Sequence, residues 1–66
     1  MVIKKLSDKD ISKCKQLCNF TDMEMQYFNL KLKNYSNVQI SLDMNISESQ
    51  VSKLANRVKS KILRIL

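Results

Sequence analysis

Apolar side chains recur along the chain at the three- and four-residue spacing of amphipathic helices, not in the alternation typical of strands. The first stretch places four apolar residues on one side of a helix: Ile11, Cys14, Leu17 and Cys18. The second gives one stripe of Met25, Phe28 and Leu32, with Tyr27 and Leu30 beside it. Two further periodic stretches fill the second half of the chain. The pattern therefore predicts four helices.

Polar residues suited to capping precede each of these stretches. Ser7 can cap the first helix. Three later positions begin the capping-box pattern, in which Glu or Gln follows three residues on: Thr21, Ser36 and Ser47. Asn34 stands where a left-handed residue would end the second helix, because asparagine tolerates positive φ. We predict one domain, 1–66, with helices over about 8–19, 22–33, 37–44 and 48–64.

The third and fourth predicted helices are joined by only three residues, and a turn this short is typical of the helix-turn-helix. The crossing that it enforces needs apolar residues at fixed inward positions. The chain supplies five: Ile40, Met44, Ile46, Val51 and Leu54. Ser41 is the small residue at the closest approach, and Asn45 takes the turn position that needs positive φ. The sequence predicts an all-α, four-helix domain with a C-terminal helix-turn-helix at 37–57; an ordinary αα-hairpin is the alternative.

Composition and charge agree with a helical, anion-binding protein. The 66 residues include neither Gly nor Pro, which disfavours tight β-hairpin turns and leaves the helices uninterrupted. Twelve Lys and Arg oppose six Asp and Glu, giving a net charge of +6. This imbalance favours a polyanionic partner, and a solubilising surface is the plainer alternative.

The outer face of the fourth predicted helix carries side chains suited to double-stranded DNA. Eight residues are candidates for DNA binding: Ser47, Glu48, Ser49, Gln50, Ser52, Lys53, Asn56 and Arg57. Gln and Asn can pair with an adenine edge, Lys and Arg with guanine or phosphate, and Glu with the cytosine amino group. Serines at a helix N-terminus suit phosphate. A solvated surface is the alternative for each single residue.

The segment 46–54 reads I-S-E-S-Q-V-S-K-L and resembles region 4 of bacterial sigma factors of the sigma-70 family. Flagellar, stress and sporulation members commonly read I-S-x-S-x-V-S-R-L there, and LuxR-type regulators share much of the string. The segments 20–24 (F-T-D-M-E) and 59–64 (K-S-K-I-L-R) are also similar to the family. The resemblance implies recognition of a promoter −35 element by the fourth helix, with the RNA polymerase flap bound by the helices before it, helix two included.

The resemblance implies, position by position, that the residues that contact DNA bases are Glu48, Ser49, Ser52 and Lys53. Glu48 and Ser49 stand where the family commonly has arginine, so the target sequence would differ. Residues 1–19 are too short for the sigma region that melts the −10 element, and we therefore expect a stand-alone small protein that works with RNA polymerase. It would be a phage or mobile-element regulator, one half of a split sigma factor, or an activator that uses the same module. The alternative is a module that binds RNA polymerase or a sigma factor without touching DNA.

Apolar residues at the end of the fourth helix span more than one of its faces: Ile62, Leu63, Ile65 and Leu66. One small core cannot bury them all. We expect a homodimer through these four residues, since helix-turn-helix proteins often dimerise to read two half-sites. The alternative is a monomeric core completed by the first helix together with Val2, Ile3 and Leu6.

Several function classes are disfavoured by the residues present. No apolar run approaches the ~20 residues that span a bilayer, so we expect a cytoplasmic protein. Cys14 and Cys18, without any His, leave a tetrahedral zinc site two ligands short, and are better interpreted as small buried hydrophobes. No Gly-rich phosphate loop or nucleophile with a nearby base is recognisable. We therefore predict no metal, no cofactor and no enzymatic activity.

Overall fold

The computed structural model describes residues 6–66, which form four α-helices. These are α1 (Asp8–Leu17), α2 (Asp22–Leu32), α3 (Asn37–Met44) and α4 (Glu48–Ile65). The described residues contain no strand. The prediction of an all-α, four-helix fold is therefore confirmed.

Each helix begins at a residue whose side chain caps it. Ser7 Oγ accepts a hydrogen bond from the amide of Asp10 at 3.2 Å. The capping boxes that start at Thr21, Ser36 and Ser47 are complete, with both reciprocal hydrogen bonds formed. A cap of this kind stabilises a helix by about 1 kcal/mol, so the four caps together fix where the helices start.

Three asparagines adopt the left-handed conformation between the helices. Asn34 and Asn45 have φ values of 73° and 57°, as predicted for residues that end a helix without glycine. Asn19 also has a positive φ, 52°. The first helix, expected to reach about Asn19, ends at Leu17 with Cys18 as its C-cap, and the left-handed residue at position 19 turns the chain toward the cap of α2.

The core lies around α4, which packs against each of the other three helices. Its fully buried members come from all four helices: Cys14, Phe28, Ile40, Val51, Val58 and Ile62. The ring of Phe28 lies 5.2 Å from the ring of Phe20, centroid to centroid, at an interplanar angle of 41°. This tilted pair closes the core where α1 leads into α2.

The face of α1 that packs on α4 is narrower than predicted. Cys14 and Cys18 are buried free thiols, as expected of small hydrophobes, whereas Leu17 is 55% exposed. Leu17 lies roughly 100° around the helix from Cys18, which puts it at the edge of the buried face. Burial, helped by the neighbouring Cys14, raises the pKa of Cys18 to about 11.

The C-terminal apolar residues divide between the core and the surface. Ile62 is fully buried and Ile65 packs partly against the core, whereas Leu63 and Leu66 are 61% and 51% exposed. Ile62 therefore cannot take part in the predicted homodimer surface, because its side chain is already enclosed by its own chain. Leu6 packs against the core as the monomeric alternative requires; Val2 and Ile3 lie outside the described residues.

Candidate nucleic-acid interface

Three residues, 45–47, connect α3 to α4 and fix the relative orientation of the two helices. Asn45 adopts φ 57° and ψ 47°, and its amide donates to the carbonyl of Ser41. The amide of Ile46 donates to the same carbonyl at 3.0 Å. Ser47 then caps α4. Each residue of the turn thus has a backbone or capping role that ends one helix and starts the next.

The facing sides of α3 and α4 carry the apolar residues that the crossing requires. Ile40 and Val51 are fully buried and Leu54 is buried beside them. Met44 and Ile46 are partly buried and pack against this cluster. Ser41 is also buried, and its hydroxyl donates to the carbonyl of Val38 at 2.7 Å. This small polar side chain therefore has a hydrogen-bond partner where the two helices are close.

All eight predicted DNA-binding residues are exposed: Ser47, Glu48, Ser49, Gln50, Ser52, Lys53, Asn56 and Arg57. At 100° per residue, Ser49, Lys53 and Asn56 lie opposite the buried face of α4 and form the middle of its outer surface. The remaining α4 residues of the set flank this line on its two sides. The structure therefore presents the predicted residues together on one continuous surface.

The capping box at the start of α4 engages two of the predicted contacts. Gln50 Oε1 accepts from the amide of Ser47 at 3.3 Å, and Ser47 Oγ accepts from the amide of Gln50 at 3.2 Å. A bidentate pair with adenine needs both the oxygen and the nitrogen of a glutamine amide. The capping bond uses one of the two lone pairs of Gln50 Oε1 and directs its side chain toward the amide of Ser47, whereas the Ser47 hydroxyl keeps its proton free to donate.

Positive charge is concentrated on α4. This helix contains five Lys or Arg and one Glu, whereas α3 contains no basic residue. Lys53, Arg57, Lys59 and Arg64 are exposed, and Lys61 is partly buried. The helix that carries the candidate DNA contacts therefore holds five of the twelve Lys and Arg of the chain and only one of its six acidic residues.

Lys61 forms an ion pair that the sequence pattern did not reveal. Its Nζ lies 2.5 Å from Oε1 of Glu24, whose side chain is only 3% exposed, and it also donates to the carbonyl of Asn19 at 3.3 Å. The same carboxylate oxygen accepts from the amide of Thr21 at 2.9 Å. Burial by itself would raise the pKa of Glu24, but the hydrogen bonds and charge of Lys61, with the bonds from Thr21, lower it. The start of α2 is thus tied to α4.

An open groove of about 340 Å³ lies between the first turn of α2 and the outer surface of α4. It is lined by Glu24, Asn56, Arg57, Ser60, Lys61 and Arg64. Glu24 and Lys61 are paired with each other, so the remaining charges that line the groove are the guanidinium groups of Arg57 and Arg64. The groove therefore carries a net positive charge despite its carboxylate.

Replacing Glu24 with Gln is expected to remove the ion pair and keep the cap. Gln39 and Gln50 occupy the same position in their own capping boxes, so glutamine is compatible with this structure. We expect a loss of about 1.5–3 kcal/mol of unfolding free energy at pH 7, the size of one charge-assisted hydrogen bond. Urea denaturation followed by circular dichroism measures it.

The pH dependence of stability in the same variant measures the contribution of the Glu24 negative charge. Because the pKa of Glu24 is lowered in the folded protein, its stabilising contribution is present at neutral pH and is lost as the pH falls through that lowered pKa. The difference between wild type and Glu24→Gln should therefore shrink as the pH is lowered below the ordinary glutamate pKa of 4.5. A difference that stays constant over this range would contradict the assignment.

No match was found for the chain among protein-family models, curated proteins or solved structures. Within residues 6–66, no group of three or more His, Cys, Asp and Glu side chains is placed to hold a metal ion. None of the helices in that range has the length and apolar character needed to cross a membrane. Function is therefore inferred from the chemistry of the exposed α4 surface.

Proposed function

We propose that this protein is a sequence-specific, DNA-binding transcription regulator whose helix-turn-helix spans 37–57. The observation that carries the proposal is the surface of α4: it follows a three-residue turn, buries its apolar residues against α3, and exposes a polar, cationic face. An α-helix with its side chains is about 10–12 Å in diameter, which fits the ~12 Å width of the DNA major groove.

The exposed residues of α4 have distinct proposed roles. Asn56, in the middle of the outer surface, can pair with adenine, and Lys53 beside it can donate to guanine or phosphate. The Ser47 hydroxyl, at the positive end of the helix dipole, suits a phosphate. Glu48 can accept from the amino group of cytosine. Base contacts would thus come from the first half of α4.

A promoter element and RNA polymerase are the proposed context. The support is the resemblance of 46–54 to sigma region 4, in which this helix follows the same short turn. On this proposal the protein acts in the cytoplasm, and α2 contributes to the contact with polymerase.

A second candidate is an interaction module that binds RNA polymerase or a sigma factor without contacting DNA. It is favoured by the outer face of α3, where Val38 and Leu42 are exposed four residues apart, Leu42 to 77%. A polymerase pull-down that survives Lys53→Ala but is lost in Leu42→Ser would support this candidate over direct DNA binding.

The first test is selection from a random-sequence duplex library, followed by affinity measurements on the enriched sequence. We expect Lys53→Ala and Arg57→Ala each to weaken binding by about 1–2 kcal/mol, roughly 5- to 30-fold, because each removes a cation from the interface. Lys13→Ala, which removes the same charge from the exposed side of α1, is the matched control and should change affinity less than twofold. Fluorescence anisotropy measures all three variants.

Salt dependence provides a second measure of the same interaction. If six phosphates are neutralised, the slope of log K against log[salt] should be about −5. Failure to enrich any duplex at low salt would overturn the proposal. Equal losses in Lys13→Ala and Lys53→Ala would also overturn it, since binding would then depend on net charge and not on the α4 surface.

A further inference from the structure

The cationic surface of α4 continues beyond the residues proposed to read bases. Lys53, Arg57, Ser60 and Arg64 are exposed and spaced by four, three and four residues, so they form one line along the helix. At 1.5 Å per residue, this line is about 16 Å long. It therefore reaches almost to the C-terminal end of α4.

The second half of this line borders the groove between α2 and α4. Arg57 and Arg64 are separated by two helical turns, about 10 Å along the axis, and Ser60 lies between them. Guanidinium groups bind phosphate oxygens through two parallel hydrogen bonds, and the small Ser60 leaves room for a backbone to approach. These residues suit a chain of regularly spaced phosphates.

The Glu24–Lys61 pair makes the floor of this groove compatible with an anion. An unpaired carboxylate would repel phosphate, but Glu24 is neutralised by Lys61 at 2.5 Å. Because this contact also occupies the Lys61 ammonium, we assign phosphate binding to the two exposed arginines and not to Lys61.

We propose that this groove binds the phosphate backbone of one DNA strand, so that α4 lies lengthwise along the duplex and does not enter the major groove by its first turn alone. The inference rests on the proposed DNA-binding function and adds a second contact region to it. Along one strand, charges recur about every 3.4 Å of helix axis. Because the strand also winds round that axis, its phosphates are further apart than this rise, and a separation of about 10 Å matches phosphates one or two nucleotides apart. Arg57 and Arg64 would contact phosphates on the same strand.

The experiment compares Arg64→Gln with Lys59→Gln on the duplex selected for the wild-type protein. Both residues are exposed and basic and lie on α4, but Lys59 does not line the groove. We expect Arg64→Gln to reduce the magnitude of the salt slope by about 0.9, the value for one phosphate contact, with an equal loss of affinity for specific and random duplexes. Lys59→Gln should leave the slope unchanged.

Replacing the phosphates of the duplex one at a time with neutral methylphosphonates locates the phosphate that Arg64 contacts. One or two positions on one strand, outside the base-read segment, should weaken wild-type binding and have no effect on Arg64→Gln. Suppose that the wild-type protein binds duplex but Arg64→Gln has the wild-type salt slope, or that Lys59→Gln reduces the slope as much as Arg64→Gln does. In either case the groove proposal is wrong and the proposed function stands.

One result would overturn both proposals together, namely that the wild-type protein binds no duplex at low salt. If it then binds a poly-glutamate peptide in an Arg64-dependent way, the groove is a site for an acidic protein segment. Circular dichroism of each variant confirms that a loss of binding is not a loss of folding.

Discussion

Replacing Phe28 with alanine is expected to lower the free energy of unfolding by about 3–5 kcal/mol, the cost of emptying a fully buried aromatic site. Phe28 has no exposed surface and packs against Phe20 with ring centroids 5.2 Å apart. A domain of 66 residues has a total stability of only about 3–10 kcal/mol. The substitution should therefore leave the protein marginally folded or unfolded at 25 °C.

Urea denaturation followed by circular dichroism at 222 nm measures this change. Met23→Ala is the matched control, because Met23 is a large apolar residue of the same helix whose side chain is exposed. Its loss should cost less than about 0.5 kcal/mol. A Phe28→Ala protein within about 1 kcal/mol of wild type would show that α2 does not pack on α4 as described.

Replacing Ile62 with alanine is the second large effect, at about 2–4 kcal/mol. Ile62 is fully buried within one chain, so the loss should be independent of protein concentration. Leu63→Ala, one residue further and exposed, should change stability by less than about 0.5 kcal/mol.

The homodimer predicted from the apolar pattern would instead make the stability depend on protein concentration. If Ile62, Leu63, Ile65 and Leu66 formed an interface, the midpoint of unfolding would rise with protein concentration and Leu63→Ala would also lower it. Denaturation at two concentrations, with sedimentation equilibrium, separates the two cases. A concentration-dependent midpoint would contradict the assignment of Ile62 to the monomer core.

The helix starts and the inward residues of α3 and α4 could be predicted because both depend on local rules. A capping box needs two residues three apart, and an amphipathic face needs apolar residues at helical spacing. Ser36 with Gln39, and Ile40 with Val51, follow these rules directly. The all-α fold follows from them, since no segment shows strand alternation.

The features that were missed depend on contacts between distant parts of the chain. Glu24 was recognised as a capping residue, but its burial and its pairing with Lys61, 37 residues away, come from the packing of α2 on α4. Asn19 is an exception that is local: it has the same positive φ as Asn34, although the helical pattern before it also allows α1 to continue to this residue. The exposure of Leu17 follows from the narrow face that α1 presents.

At the start of α4, helix capping and DNA recognition draw on the same side chains. Ser47 and Gln50 were predicted both as caps and as DNA contacts, and the structure shows them engaged in the capping box. Only the hydroxyl proton of Ser47 and the amide nitrogen of Gln50 remain available as donors. Base discrimination would therefore fall mainly on Lys53 and Asn56.

The buried thiols of α1 have a consequence for oxidation chemistry. Oxidants and alkylating reagents react with the thiolate, and the raised pKa, about 11, keeps Cys18 in the unreactive thiol form at pH 7. Both cysteines are free and buried, although Cys18 lies at the edge of a groove that Lys61 also lines, so access to them is restricted as well. Cys14 and Cys18 thus behave as apolar side chains, and the packing of α1 against α4 should be insensitive to the redox state of the surroundings.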